Sequence, residues 1–395
     1  MHNLETPAFI VKKEILDTSI QSLKSSLSTH FPNSILSYSL KTNSLPYILK
    51  RIKENNGYAE VVSSDEYELA RLVGFNIEQI VYNGPLKSKP TFLEAIKNGA
   101  IVNIETKQEI EWLAELPKDD VFSVGIRVNI DLDILAPEDA KQNEGYSRFG
   151  FSPENDELET ALQKISKYSN IKLTGLHAHR TTLSRAVKTY EEIAKYIGDL
   201  AHKHSLELEY VDIGGGFYGI MEGKPTFNDY FSAIGNGLSS YFNLEHITVI
   251  VEPGNAIVAS AVDFVSQVVD VKKIHNFYVV TTDGSRNDLD PFYRKQNYFY
   301  SIDPNSNSSP SVPMQIISGG TCLEYDKIFE LKNAALLQVG DRINYKSVGA
   351  YTMTLSPLFI RYFPNIYLQD KDGSYSLIRK RWSAADFFEI YNTTK

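Results

Sequence analysis

ILSYSLK (35–41), AEVVSS (59–64), IVYNG (80–84), AIVNIE (100–105), SVGIRVN (123–129), LTGLHAH (173–179), LEYVDIGGG (208–216) and ITVIVEPG (247–254) punctuate the chain up to residue 254. Each run is rich in β-branched or aromatic residues and is bounded by turn formers. Between runs lie longer stretches of helical periodicity, such as SSDEYELARLVGF (63–75). Strand and helix therefore alternate, which predicts an α/β fold: eight parallel strands with crossover helices closing into a (β/α)8 TIM-like barrel. A barrel of this kind carries its reactive groups on the loops at the C-terminal ends of its strands. Those ends supply Lys41, Glu60, Arg127, His179, Gly214, Gly215, Gly216 and Glu252.

After Gly254 the rhythm changes. FVSQVVDVKKI (264–274), NFYVVTTDG (276–284), MQIISGG (314–320) and DRINYKSVGAYT (341–352) read as strands joined by turns, with little helical spacing among them. A second, β-rich domain is expected over 263–395, with the barrel over 18–262. The opening PAFIVKKEIL (7–16) also reads as a strand and is expected to join the second domain through residues 1–17. DPNSNSSPSVP (303–313) is a Ser/Asn/Pro loop.

Composition is compatible with this plan. The chain has 395 residues, 42% of them hydrophobic and 23% charged, enough to bury a full core and to suggest two domains. A formal net charge of −9 argues against a nucleic-acid partner. No run approaches the roughly 18 apolar residues of a membrane span, and the N-terminus lacks a long apolar signal region. A cytoplasmic location without membrane attachment is expected. Cys322 is the only cysteine, so no intrachain disulfide can form.

Lys41 follows a mainly apolar run and precedes a turn, so its amine should point into the barrel mouth. There, desolvation lowers proton affinity and makes an amine nucleophilic toward an aldehyde. Three consecutive glycines after the seventh run turn backbone N–H groups toward an anion, and Gly254 after the eighth can add another. A ligand-free tight turn is the plainer reading of the same glycines. Glu252 sits behind ITVIV, where an unpaired carboxylate is costly. It can pair with Arg127 or a backbone amide, or with a ring nitrogen whose proton it retains. His177 and His179 alternate, so in a strand both face one side. Each could be a hydrogen-bonded core residue or, at position 179, an imidazole laid on a pyridine ring. H-A-H alone is a weak metal signature, and no metal is expected. Lysine, histidine, glycine loop and buried acid converging on one face point to a phosphorylated, electron-withdrawing cofactor.

SYSLKTN (37–43), SRFGF (147–151), GLHAHR (175–180), DIGGGF (212–217), EPG (252–254), GGTCLEYD (319–326) and GAY (349–351) occur in an order that resembles the fold-type III pyridoxal-phosphate decarboxylases. This is the group of diaminopimelate, ornithine and arginine decarboxylases, with an alanine-racemase-like barrel. The resemblance spans nearly the whole chain. It implies pyridoxal 5'-phosphate as cofactor, an amino-acid substrate, and a head-to-tail homodimer whose β-domains complete the partner's active site. By motif it makes Lys41 the internal aldimine lysine and His179 the residue stacked on the cofactor. Gly214, Gly215, Gly216, Gly254 and Tyr351 become phosphate contacts, with Thr182 where the family often has serine. Glu252 becomes the partner of the pyridinium nitrogen, Arg148 lies near the mouth, and Cys322 protonates the substrate carbanion from the second subunit. A buried, inert cysteine is the general alternative.

The implied reaction is decarboxylation of an amino acid or an amino-acid-derived biosynthetic intermediate. A racemase or epimerase on the same fold would need a second base in place of Cys322, and a non-catalytic cofactor-binding regulator would not need Lys41 and Cys322. Some positions depart from the family pattern. Asn255 stands where arginine usually follows E-P-G, Leu323 follows Cys322 in place of an acid, and LDPFYRK (289–295) replaces the substrate loop. Asp290, Arg294, Lys295, Glu324 and Asp326 are left as groups that could read the substrate's distal end.

Overall fold

A computed structural model of the chain describes residues 4–140, 146–180, 182–305 and 309–391. Residues 306–308 of the expected loop 303–313 lie outside the described residues, as do 1–3 of the N-terminal segment. The chain forms two compact units, one of residues 19–256 and one of 1–18 with 257–395.

The first strand, β1 (Ala8–Lys12), is shorter than the expected 7–16, because a helix (Lys13–His30) begins at Lys13. Leu16, Ile20, Leu23 and Leu27 are all buried. Their spacings of four, three and four place them on one helical face, and that periodicity overrides the strand-like beginning.

Each of the eight runs becomes a strand: β2 (Ser34–Ser39), β3 (Tyr58–Ser63), β4 (Ile80–Leu86), β5 (Ile101–Ile104), β6 (Phe122–Arg127), β7 (Ile171–His177), β8 (Tyr210–Asp212) and β9 (Thr248–Val251). Neighbours pair in parallel in this order, and β2 pairs with β9 to close the barrel. Helices cross between the strands, and Ser63, Ser88, Thr106 and Thr226 cap them by accepting backbone N–H bonds.

Tyr210 occupies the barrel interior at the start of β8. Its ring crosses Gly125 and Gly175, where an added Cβ would lie 2.1 Å from its Oη and 2.0 Å from its Cζ. Glycine at both positions makes the room. The Tyr210 hydroxyl donates to Asn103 Oδ1 at 2.7 Å, and Asn103 Nδ2 donates to Asn83 Oδ1 at 2.8 Å. A buried polar column thus rises from the N-terminal end of the barrel toward the C-terminal end.

The second unit is built on a nine-stranded sheet with the order β14-β13-β11-β10-β1-β16-β17, and β15 pairs with both β10 and β12. The strands are β10 (Val262–Ile274), β11 (Phe277–Thr282), β12 (Phe299–Asp303), β13 (Ser311–Ser318), β14 (Lys327–Ala335), β15 (Arg342–Lys346), β16 (Asn365–Gln369) and β17 (Tyr375–Arg379). β1 lies antiparallel to β10, with Ala8 opposite Val265, and parallel to β16, with Ala8 opposite Asn365. Sequence reading finds β10, β11, β13 and β15 but not β12, β14, β16 or β17. No helix among the described residues is long and apolar enough to cross a membrane.

Candidate active site

β2 runs into a single 3-10 turn, Leu40–Thr42, that buries Leu40 and Thr42 on either side of Lys41. The Lys41 amine donates to Glu60 Oε2 at 2.8 Å, and Ser39 Oγ donates to the same oxygen at 2.5 Å. Asn83 Nδ2 reaches Glu60 Oε1 at 3.3 Å and makes a short hydrogen bond to Glu252 Oε1. Asn83, at the top of the polar column, therefore links the acid beside Lys41 to the acid that follows β9.

Glu252 is buried, and its backbone N–H donates to Gly214 O at 2.7 Å. His177 Nε2 lies 3.5 Å from Glu252 Oε2. One donor atom each from His177, Asp212 and Glu252 fall within 4.8 Å of one another, a cluster that the sequence spacing does not announce. Burial and the neighbouring Glu252 charge push the Asp212 carboxyl well above its usual range. Burial alone would raise Glu252 too, but His177, Lys41 and Asp212 outweigh it and hold Glu252 well below the usual range. The two shifts run in opposite directions, which favours a proton on Asp212 over one on Glu252.

The glycine loop follows β8. Gly214 has φ +69°, and a Cβ there would lie 2.5 Å from His179 Nδ1; one on Gly215 would lie 2.0 Å from the Glu252 carbonyl oxygen. Only glycine lets this loop lie against both residues. Gly215 N–H donates to His179 Nδ1 at 3.1 Å, which places the proton of a neutral imidazole on Nε2. Enclosure, then the nearby Arg127 guanidinium, lowers His179 to about 3, so the ring is neutral at physiological pH. His179 lies two residues past the end of β7, while His177 ends that strand.

Arg127 pairs with Glu105 at 2.9 and 3.1 Å and donates to His179 O at 3.3 Å. The structure thus assigns Glu252 to Asn83 and His177, not to Arg127. Thr182 is buried and its Oγ1 accepts from Arg185 N at 2.9 Å. Arg148 is exposed and lies 4.4 Å over the Phe149 ring, which Arg127 also covers at 4.7 Å. Gly254 follows β9 beside Glu252.

The barrel unit thus joins Lys41, Glu252, His179, Gly214 and Gly215 through a continuous set of hydrogen bonds. Glu60, Asn83 and Asp212 complete it. Sequence reading places Glu60 at a strand end, but it is the third residue of β3, and its side chain meets Lys41 because β3 pairs beside β2. Asn83 and Asp212 show in the sequence only as polar residues within apolar runs.

Cys322, Tyr351, Asp290, Arg294, Glu324 and Asp326 belong to the sheet unit. Cys322 is exposed, in a turn organised by Asp326. The buried Asp326 carboxylate accepts from Thr321 Oγ1 at 2.6 Å, Ser285 Oγ at 3.1 Å and Arg286 N at 2.9 Å. Asp290 is buried and accepts from Arg286 Nη2 and Lys295 N at 2.9 and 2.8 Å. Arg294, Glu324 and Tyr351 are exposed.

Residues 17–259 match the family described as pyridoxal-dependent decarboxylase, pyridoxal binding domain. A probable chloroplastic diaminopimelate decarboxylase of Oryza sativa is 26% identical over 91% of this chain and 74% of its own. The L-glutamyl-BtrI acyl-carrier protein decarboxylase of Niallia circulans is 24% identical over 97% of this chain and 92% of its own. Among solved structures, the diaminopimelate decarboxylase of M. jannaschii superposes with a TM-score of 0.85 at 23% identity, covering 99% of this chain and 93% of that one.

Proposed function

This chain belongs to the pyridoxal-dependent decarboxylase family, and on that premise we propose that Lys41 carries the cofactor and Cys322 returns the proton as an amino acid or amino-acid-derived intermediate loses its α-carboxyl group. The protein is a pyridoxal 5'-phosphate-dependent amino-acid decarboxylase.

The residues present suit that cofactor: an amine at the mouth, a buried ionised carboxylate, a neutral imidazole and a glycine loop whose space a Cβ would fill. Bound there, pyridoxal 5'-phosphate supplies an aldehyde for amines and a protonated ring that takes up electrons.

Glu60 holds the Lys41 amine in place. With the cofactor bound, Glu252 would keep a proton on the ring nitrogen and His179 would offer the ring a neutral face. Gly214, Gly215, Gly216, Gly254 and Thr182 would hold the phosphate, and the family resemblance adds Tyr351. As the carboxyl group departs as carbon dioxide, the electron pair of the broken bond remains at the α-carbon. The Cys322 thiol gives that carbon its proton and regains one from water, so each turnover takes up one proton. In this reading Cys322 acts across a homodimer, on the partner's barrel.

The observation that carries the proposal is the buried Glu252, tied through Asn83 and Glu60 to the Lys41 amine.

The distal end of the substrate meets an unusual set of groups. Leu323 follows the cysteine, Asp290 and Asp326 are engaged within the sheet unit, and Arg294 and Glu324 remain exposed. Glu324 and Arg294 are thus the charged groups left to meet a distal end, and the carrier-linked substrate named for the Niallia circulans relative puts a glutamyl thioester beside the free amino acids as a candidate.

The test is carbon dioxide release by purified holoenzyme from a panel of L- and D-amino acids, including a glutamyl thioester. The expected result is carbon dioxide and the corresponding amine in equal amounts from one member. Exchange of the α-hydrogen for deuterium without carbon dioxide would overturn decarboxylation in favour of racemisation.

A further inference from the structure

The cation expected after E-P-G is missing, because Asn255 is neutral. An arginine from another loop stands at the same place. Arg185 lies between β7 and the helix Val187–Lys203. With the Asn255 amide oxygen turned toward it, the guanidinium donates to that oxygen through Nη1 and Nη2 at 2.9 and 3.0 Å. Nη1 also approaches Phe217 O at 3.4 Å, and the guanidinium covers the Tyr218 ring at 4.9 Å. Phe217 follows the Gly214–Gly216 loop and Asn255 follows Gly254, so the charge bridges the two glycine turns.

Its placement is enforced. Arg185 has φ +51°, a left-handed conformation that costs a residue bearing a Cβ energy unless neighbours impose it. Thr182 Oγ1 accepts the Arg185 N–H at 2.9 Å and the Tyr230 hydroxyl donates to Arg185 O at 2.8 Å. Tyr190 steadies the facing loop by donating to Gly215 O at 3.2 Å.

Among the described residues no carboxylate pairs with Arg185, whereas Lys41 is paired with Glu60 and Arg127 with Glu105. Gly215 N–H is already given to His179. A phosphate bearing close to two negative charges needs more than the remaining neutral donors.

We infer that Arg185 is the cationic arm of the phosphate site, relocated to the loop after β7, and that Asn255 is the positioning residue that aims it. An arginine at 255 would repel this guanidinium, while an amide oxygen orients it without neutralising it. The inference rests on reading the glycine loop as the phosphate site.

Apoprotein prepared from the full-length holoenzyme is titrated with pyridoxal 5'-phosphate and, separately, with pyridoxal, and binding is followed by visible absorbance. Arg185→Gln should weaken binding of the phosphorylated form by about tenfold to a hundredfold, as for loss of one charge-assisted contact, and leave pyridoxal binding unchanged. Asn255→Asp, which places a carboxylate on the guanidinium, should act in the same direction. The double variant Arg185→Gln/Asn255→Arg should recover phosphate discrimination, which a misfolded site could not do. If wild-type protein binds both forms equally, the phosphate reading of the loop fails. If wild type discriminates and Arg185→Gln discriminates as well, the role of Arg185 alone is overturned.

Discussion

Lys41 Nζ and Glu60 Oε2 lie 2.8 Å apart, with the amine 37% exposed and the acid 1% exposed. A buried acid facing a half-open amine holds the lysine at the mouth while leaving one side of it accessible to a carbonyl compound. Glu60→Gln keeps an acceptor in place and removes its charge. Solvent screening of the exposed amine limits the effect, so cofactor seating should weaken by about tenfold, the low end for a charge-assisted bond. Borohydride reduction of the loaded wild-type protein should leave the cofactor on the peptide containing Lys41 and on no other, and Lys41→Ala should lose the visible band.

Glu252→Gln removes the negative charge set against the ring nitrogen while retaining a hydrogen-bonding side chain beside Asn83. Turnover should fall by about 10²- to 10³-fold, the scale of losing one preorganised electrostatic contact. Cofactor stoichiometry should stay at the wild-type value. Normal turnover in this variant would make the acid a structural residue.

Lys41→Ala and Cys322→Ala proteins should each be nearly inactive alone. In the proposed shared-site dimer, a mixed pair has one site with both defects and one with neither. After random subunit exchange about half the dimers are mixed, so activity should reach at most about a quarter of wild type. No recovery, once exchange is verified by differential tagging, means that both residues act within one chain or that Cys322 is not the donor.

Glu66 accepts the Val62 N–H at 2.9 Å. Burial, opposed by that bond and supported by the Glu60 charge, pushes its carboxyl from 4.5 up to about 7. The folded state therefore holds this proton more tightly than the unfolded chain. The contribution favours folding at low pH and is lost as pH rises from about 4.5 through about 7. Glu66→Gln keeps the acceptor and cannot ionise, so its melting temperature should exceed wild type at pH 8 and match it near pH 5. An equal shift at both values would mean that ionisation of Glu66 plays no part.

The barrel strands are legible in the amino-acid sequence because strands covered on both faces are nearly continuous apolar runs. β14 escapes the same reading. KIFELKNAA buries only Ile328 and Leu331, three positions apart and so off the period of two, while Lys327, Glu330 and Lys332 are exposed; an outer strand of a sheet tolerates this, and a polar loop looks the same. β1 was overextended for a local reason, since the helical spacing that begins at Leu16 outweighs the extended start.

Sequence by itself determined which residues stand at strand ends: Lys41 after β2, the glycines after β8, Glu252 after β9. In a parallel barrel, chain order and strand direction place those ends on one face. Which side chains then meet was decided only by closure. Asn83 and Glu252 are 169 positions apart, and their contact exists because β2 joins β9 and the ring brings the two acids to one amide. Arg127 could have answered Glu252, but β5 and β6 are neighbours, and Glu105 takes it. Arg185 facing Asn255 is the same kind of outcome. A local run of residues sets the place of a side chain along its strand, whereas its partner across the barrel depends on the curvature and stagger of all eight strands together.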